Sequence, residues 1–160
     1  MDLDATNVTS VEDCSTELKV EGRFHMVVQS ATEKKLIPGK TPFEADVIVL
    51  EVLAGDVAGQ VGKTIDHMIG YERPDTGARQ MRFAIACGLL APGEKKSIFL
   101  DTQAPGQQLV AKITHWKEKD RYTVGGMGMD LWPVDHPQVA DVPKAPEALA
   151  LLNAEPAKVA

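Results

Sequence analysis

The sequence predicts a mainly β protein, in which five strands form a small barrel and a single helix lies between the third and fourth strands. Five segments have the apolar content, or the alternation of apolar and polar residues, that is typical of strands. One segment between the third and fourth of them has the three- and four-residue spacing of a helix. Gly22, in the first strand, allows the sharp bend that a small barrel needs in order to close.

The first strand is expected over residues 18–30. Phe24, Met26 and Val28 fall on one face of this segment and polar residues fall on the other, which indicates a half-buried strand. A loop that contains three lysines and two prolines is expected over residues 31–42.

The second strand is expected over residues 43–54, which are rich in valine, isoleucine and leucine. Both of its faces carry apolar residues, so we expect a central strand that is covered on both sides. After a glycine-containing turn, residues 63–73 form the third strand. The helix is expected over residues 75–90, where Gly88 and Pro92 would end it.

A fourth strand is expected over residues 108–116, followed by a charged turn over residues 117–121. The fifth strand is expected over residues 122–134, where the glycines of the Gly125–Gly128 segment bend or loosen it. Three strands, a helix and two strands, with short connections, form the element order of the OB-fold, a partly open Greek-key barrel. We therefore expect an OB-fold-like barrel.

The distribution of charge divides the chain into three parts. With 17 Lys and Arg against 23 Asp and Glu, the formal net charge is −6, which argues against a polybasic nucleic-acid-binding protein. The acidic excess lies in the flanks. We expect an acidic flexible leader over residues 1–17, an OB-fold-like domain over residues 18–134 and a Pro/Ala-rich tail over residues 135–160 that packs loosely on the domain.

Membrane-spanning segments, secretory signals and cysteine patterns indicate where a protein is found and whether it contains disulfides. It contains no apolar run of the ~18 residues that a transmembrane helix needs, and it begins without the pattern of a secretory signal. We therefore expect no membrane partner and a cytoplasmic protein. The two cysteines suggest no disulfide framework: Cys87 is expected to be a buried apolar residue and Cys14 a free, exposed one.

The motifs of several common enzyme classes are missing, among them GxSxG, the Walker A loop and HExxH. We expect no catalytic activity, no cofactor and no metal. A small metal-dependent enzyme is an alternative, because His25, His67 and His115 fall on three different strands and could converge. Otherwise these histidines are half-exposed polar strand residues.

A nucleic-acid-binding surface is better supported by the sequence. An OB-fold binds single strands across strands two and three and through two loops, one between strands one and two and the other between strands four and five. Both loops are basic here, and aromatic residues lie beside them, so cations could contact phosphates while bases stack on the rings. Alternatively, the lysines are merely solvated, and Trp116 or Tyr122 belongs to the core. The candidate binding residues are Lys34, Lys35, Lys40, Tyr71, Arg73, Trp116, Lys117, Lys119, Arg121 and Tyr122.

Two segments resemble a known family. The first reads FEADVIVLEVLAGDVAGQVGKTIDHMI, with a GQxGK step, and the second reads LVAKITHWKEKDRYTVGGMGMDLWPVDHPQVADVPK. They are similar to strands two to five of phage-encoded OB-fold single-stranded-DNA-binding proteins, over roughly residues 20–145. The resemblance implies a barrel that coats single-stranded DNA in phage replication or recombination, in the cytoplasm of the bacterial host, through the candidate residues above.

The chain departs from bacterial single-strand binders at its end. It ends in NAEPAKVA, without an acidic cluster or a terminal aromatic residue, so the acidic leader is the better candidate for recruiting replication or recombination proteins. A homo-oligomer could form through a barrel edge. The alternative function is a protein-interaction or virion-assembly domain that uses the acidic leader and the Pro-rich tail for docking.

Overall fold

The structure is a computed structural model that describes residues 1–6 and 8–153. The strands are β1 Gly22–Ile37, β2 Phe43–Gly55, β3 Thr64–Gly70, β4 Gln108–Trp116, β5 Arg121–Val124 and β6 Leu131–Trp132. β3 alternates buried and more exposed residues, whereas β2 and β4 contain continuous buried runs. The helices are α1 Thr76–Ala86, a single turn at Leu100–Gln103 and a tail helix at Pro146–Asn153, with short 3-10 turns at Val11–Cys14, Lys117–Lys119 and Pro137–Val139.

The strands form one antiparallel sheet in the order β3–β2–β1–β4–β5, and β6 also pairs with β4. Phe24, Met26 and Val28 of β1 are buried in its core, as predicted. In the described part of the chain, no hydrogen-bonded ladder joins β3 to β5, although their Cα atoms approach within 8 Å. The mainly β class is confirmed, but the sheet does not close, so the five-stranded OB-fold-like barrel expected from the sequence is not confirmed.

The first strand is longer than predicted, and the loop after it is shorter. Residues 31–37, expected in a loop, continue β1, so Lys34 and Lys35 lie on a strand and only residues 38–42 connect β1 to β2. This end of β1 pairs with β2 but not with β4. Most of its side chains are therefore exposed on both faces, which explains why the segment resembles a loop in the sequence.

The bending of β1 does not depend on Gly22 alone. Three register shifts interrupt its pairing with β2, between His25 and Met26, between Val28 and Ser30, and in the Thr32–Lys35 segment. Bulges of this kind bend a strand and increase its twist. They allow the first half of β1 to pair with β4 while the second half extends away with β2.

The predicted fifth strand, residues 122–134, is two strands separated by the glycine turn Gly125–Gly128. Gly126 and Gly128 have φ values of 61° and 86°, a region that glycine enters readily and other residues rarely adopt. The chain therefore leaves the edge of the sheet after Val124 and returns as β6 on β4.

The predicted helix is confirmed as α1, four residues shorter at its C-terminal end than expected. Gly88, with φ of 81°, follows it and prevents its continuation. Phe83 and Cys87 are buried against the core of the sheet. Burial raises the pKa of the Cys87 thiol to about 12, so this residue is the inert apolar group that the sequence suggested.

The tail packs more closely than expected. Val139 and Val142 are buried with Val110 and Trp132 in a second apolar cluster. Lys144 Nζ holds the segment in place by donating to the carbonyls of Val139 and Val142, at 2.7 and 2.8 Å. The loose packing expected for the whole tail is therefore wrong for this segment.

The proposed division into leader, domain and tail stays a prediction. Residues 154–160 of the predicted tail and Asn7 of the predicted leader lie outside the described residues. Across residues 1–6 and 8–153, no helix has both the length and the apolar character that crossing a membrane requires.

Candidate functional site

A groove with a volume of about 1410 Å³ lies where β3 and β5 approach each other. The end of the leader closes one side, because the Leu18 N–H donates to the Thr64 carbonyl and the Thr64 N–H to the Thr16 carbonyl, each at 2.8 Å. The lining includes residues 16–19, residues 41–43 at the β1–β2 connection, most of β3, the end of β4, residues 120–124 and the glycine turn.

Trp116 lies on the rim of this groove and keeps 41% of its surface exposed. The Arg121 guanidinium carbon is 5.3 Å from the centroid of the indole, and Lys119 Nζ is 6.0 Å from it, within the range of cation–π contacts. The indole N–H donates to Glu118 at 3.1 Å. Trp116 and Arg121 are directly opposite in the β4–β5 pairing, which places their side chains on one face.

Tyr122 lines the same groove but lies on the other face of β5. Its ring stacks on His115 with 4.7 Å between centroids, and it packs against the core. His115 Nε2 is 3.0 Å from Asp120. Because side chains alternate along a strand, Trp116 and Tyr122 do not form one continuous stacking surface.

Tyr71 lies outside the groove lining and is fixed by a buried carboxylate. Its hydroxyl donates to Asp46, which is 1% exposed, and Lys34 Nζ lies 5.4 Å above its ring. Burial, together with the Asp46 carboxylate, raises the pKa of Tyr71 well above its usual range. The contact between Lys34 and Tyr71 covers part of a ring that the sequence suggested for stacking.

The remaining candidate residues are divided between the groove and the surface elsewhere. Arg73 lines the groove and pairs with Asp75 at 3.1 Å. Lys35, Lys40 and Lys117 are exposed but do not line it. The structure therefore gathers Arg73, Trp116, Arg121 and Tyr122 in the lining of one groove. Lys119 lies beside Trp116 but outside that lining, and the other candidates lie elsewhere.

The charges of the groove nearly balance. Its cations are Lys19, Arg73, Arg79 and Arg121, and its acids are Glu17, Asp66, Glu72 and Asp120. Several of these groups are in ion pairs, such as Lys19 with Glu17 at 3.6 Å. The groove thus offers local cationic positions rather than a uniformly basic surface.

Arg79 also lines the groove, although it is not among the predicted site residues. This α1 residue is only 9% exposed, and its Nη2 donates to the Met68 carbonyl at 3.0 Å. Within the described residues, neither Arg79 Nε nor His67 Nε2 has a hydrogen-bond partner, and both atoms are buried. The available signal was the spacing, since Arg79 lies four residues before the buried Phe83, on the apolar face of the helix.

The histidines do not form the metal site that was considered as an alternative. No group of three or more potential metal ligands occurs within the described ranges. His25 and His67, expected to be half exposed, are buried. His25 Nε2 lies 2.8 Å from the Gln108 side-chain oxygen, and its Nδ1 accepts from the Ala145 N–H. The tail that covers β1 explains why the prediction was wrong for His25.

No protein-family model matches the sequence, and no curated protein matches it. The function is therefore argued from the geometry of the groove and the chemistry of its residues.

Proposed function

We propose that the protein binds single-stranded DNA along the groove, without catalysis, in phage DNA replication or recombination. The observation that carries this proposal is the Trp116 cluster, an exposed indole in contact with Arg121 and Lys119 at the rim of the groove. A base can stack on the free part of the indole while the two cations contact the adjacent phosphates. Stacking of this kind contributes about 1–3 kcal/mol per base.

The topology supports an open form of the OB barrel. In the order β3–β2–β1–β4–β5, the strands that closure would join are β3 and β5, and these border the groove. Residues 41 and 42 of the β1–β2 connection and Asp120 of the β4–β5 connection line the groove. In an OB-fold these two loops contact the bound oligonucleotide. Their position here therefore favours the groove as the binding surface.

The overall charge of −6 opposes this function at long range, and the proposal depends on local cations. Arg121 and Lys119 are exposed, so they can exchange counterions for phosphates. Such exchange makes affinity fall as the salt concentration rises.

The experiment is a fluorescence titration of the full chain with oligo-dT at low and moderate salt. Trp132 is 8% exposed and is covered by Arg82, so quenching should arise from Trp116. We expect saturable quenching that weakens with salt, and that disappears in Trp116→Phe while the Trp132 signal stays. Absence of quenching in the wild-type chain, or an affinity indifferent to salt, would exclude the proposal.

A charge-matched pair separates a specific contribution of Arg121 from the effect of net charge. Arg121→Gln should weaken binding by about tenfold, since a hydrogen bond to a charged group contributes about 1.5–3 kcal/mol. Lys95→Gln, an exposed change away from the groove, should leave the affinity within about twofold. Equal losses in both variants would indicate attraction by net charge alone.

We propose docking to a protein partner as the second candidate, on the observation that the tail helix exposes Leu151 and Leu152 by 69% and 39%. Capture of one replication, recombination or virion protein from nuclease-treated lysate, lost in Leu151→Glu, would favour it. Docking would be contradicted if the wild-type chain and Leu151→Glu were both retained on single-stranded DNA resin and neither captured such a protein.

A further inference from the structure

Arg79 is a buried guanidinium without an acidic partner. Across the described residues its side chain forms no ion pair, and the one hydrogen bond of that side chain goes to the Met68 carbonyl. Asp75 attracts the guanidinium only from beyond ion-pair distance and is itself paired with Arg73. Arg23, in contrast, forms ion pairs with Asp56 at 3.0 Å and with Asp141 at 2.9 Å. Burying a cation without a paired anion costs free energy. An anion bound beside Arg79 would offset part of that cost.

His67 adds a second unsatisfied nitrogen to the same part of the groove. It is 3% exposed and lies next to Met68, whose carbonyl binds Arg79. Burial and the nearby Arg79 charge lower the pKa of His67 to about 3. The ring is therefore neutral at physiological pH, and in one tautomer its Nε2 carries a proton that can be donated.

The glycine turn brings the backbone close to the Arg79 guanidinium. A Cβ on Gly128 would lie 2.6 Å from Arg79 Nη2 and 2.8 Å from Nε, and the φ of 86° independently favours glycine. Asp130 lies at the other end of the turn, against Gly125 and Gly126. The turn therefore has a cation beside Gly128 and an acid beside Gly125 and Gly126. Gly128, Arg79 and His67 all line the groove.

We propose that this end of the groove binds a phosphate group, with Arg79 Nε and His67 Nε2 as donors to its oxygens. Arginine suits this role because its planar fork matches the spacing of phosphate oxygens. Nε is buried in this structure, so the proposal requires the turn at Gly128 to shift when phosphate binds. The phosphate is either a phosphodiester of a bound strand, which rests on the proposed function, or a free phosphate, which does not.

The first test uses the wild-type chain and NMR of the side-chain N–H groups of Arg79 and His67. Inorganic phosphate should shift both resonances saturably, whereas chloride at equal ionic strength should not. Oligo-dT should shift them as well if the phosphate comes from a strand. Phosphate should also raise the pKa of His67, because an anion stabilises the imidazolium form.

The outcomes separate this inference from the proposed function. If oligo-dT quenches Trp116 but neither phosphate nor oligo-dT shifts the two resonances, the phosphate position is excluded and strand binding stands. If phosphate shifts them and oligo-dT causes no quenching, the position stands and strand binding fails. If no probe has any effect, both are excluded.

Variants supply a second, independent measurement. Arg79→Gln should weaken phosphate binding at least about tenfold, while Lys95→Gln removes the same charge elsewhere and should have no effect. Gly128→Ala keeps the charge but displaces the guanidinium, and it should weaken binding similarly. Circular dichroism verifies the fold of each variant, and unchanged binding in folded Arg79→Gln would overturn the assignment.

Discussion

Asp46 is the residue through which three separate segments meet. Its carboxylate, 1% exposed, accepts from the Lys34 N–H at 3.1 Å, from the Gln80 amide at 3.0 Å and from the Tyr71 hydroxyl. A buried carboxylate is tolerated when its oxygens are fully hydrogen-bonded. One acidic side chain thus ties the bulge of β1 to α1 and to the turn after β3.

We expect Asp46→Asn to lower the free energy of unfolding by about 2 kcal/mol, because the charge-assisted bonds are lost and the amide N–H groups face other donors. Urea denaturation measures this loss. Glu44→Gln, on an exposed position of the same strand, is the matched control and should change the stability by less than about 0.5 kcal/mol. Similar stabilities for both variants would contradict the role assigned to Asp46.

His67 makes stability depend on pH. Its pKa in the folded chain is about 3 against an ordinary value of 6.5, so the unfolded chain binds a proton that the folded chain does not. We expect the free energy of unfolding to fall as the pH decreases from 6.5 toward 3, with a contribution from this residue of up to about 1.4 kcal/mol per pH unit.

His67→Gln removes this titrating group and should reduce the slope of stability against pH in a phosphate-free buffer. The contribution of His25, whose pKa burial also lowers, should remain. Denaturation midpoints measured from pH 7 to pH 4 test the expectation. His136→Gln, at a partly exposed position in the tail, is the control and should retain the wild-type slope. An unchanged slope in His67→Gln would show that His67 is protonated in the folded chain.

At the scale of elements, close approach of backbones decides where glycine is needed. A Cβ on Gly55, at the end of β2, would lie 2.4 Å from the Phe24 ring and 2.7 Å from the Arg23 carbonyl. β1 and β2 therefore meet there without room for a methyl group. Gly77, in the first turn of α1, has nothing within 4 Å of a Cβ.

The two glycines should respond to alanine with opposite signs. Gly55→Ala should destabilise the chain by about 1–3 kcal/mol through overpacking. Gly77→Ala should stabilise it by about 0.5–1 kcal/mol, because alanine restricts the unfolded chain and favours the helix. Thermal and urea denaturation measure both, and equal signs would contradict the close approach at Gly55.

At the scale of the whole molecule, the described part of the tail acts as a cover for the sheet. Val139 and Val142 close an apolar cluster over Val110 and Trp132, and Asp141 holds the Arg23 guanidinium through two hydrogen bonds of 3.0 and 2.9 Å. Contacts of the tail therefore join residues that are more than a hundred positions apart in the sequence.

Replacing both Val139 and Val142 with alanine should cost about 3 kcal/mol, from the loss of roughly two buried methylene equivalents at each position. Trp132 fluorescence should shift to longer wavelength, and urea denaturation gives the stability. Gln138→Ala, an exposed neighbour, should leave both quantities unchanged. A stable double variant with a wild-type spectrum would show that the cluster contributes little.

Much of the fold could be predicted because strand and helix periods are local properties. β2, β4 and α1 follow their apolar patterns closely. The lysines of β1 and the split of the fifth strand were missed, since exposure on both faces makes a strand resemble a loop, and local spacing does not show where Gly125–Gly128 will lead the chain. In the groove, Trp116 and Arg121 could be paired from strand register, whereas Arg79 could not be placed.

By itself, the sequence determined the mainly β class, most of the elements and the position of Trp116 beside cations, because these depend on neighbours within a few residues. Only the tertiary structure decided that the sheet stays open, that His25 and His67 are buried and that Arg79 lies against Gly128. Those features depend on contacts between segments that are distant in the sequence. Such contacts produce no local pattern of apolar and polar residues from which they could be predicted.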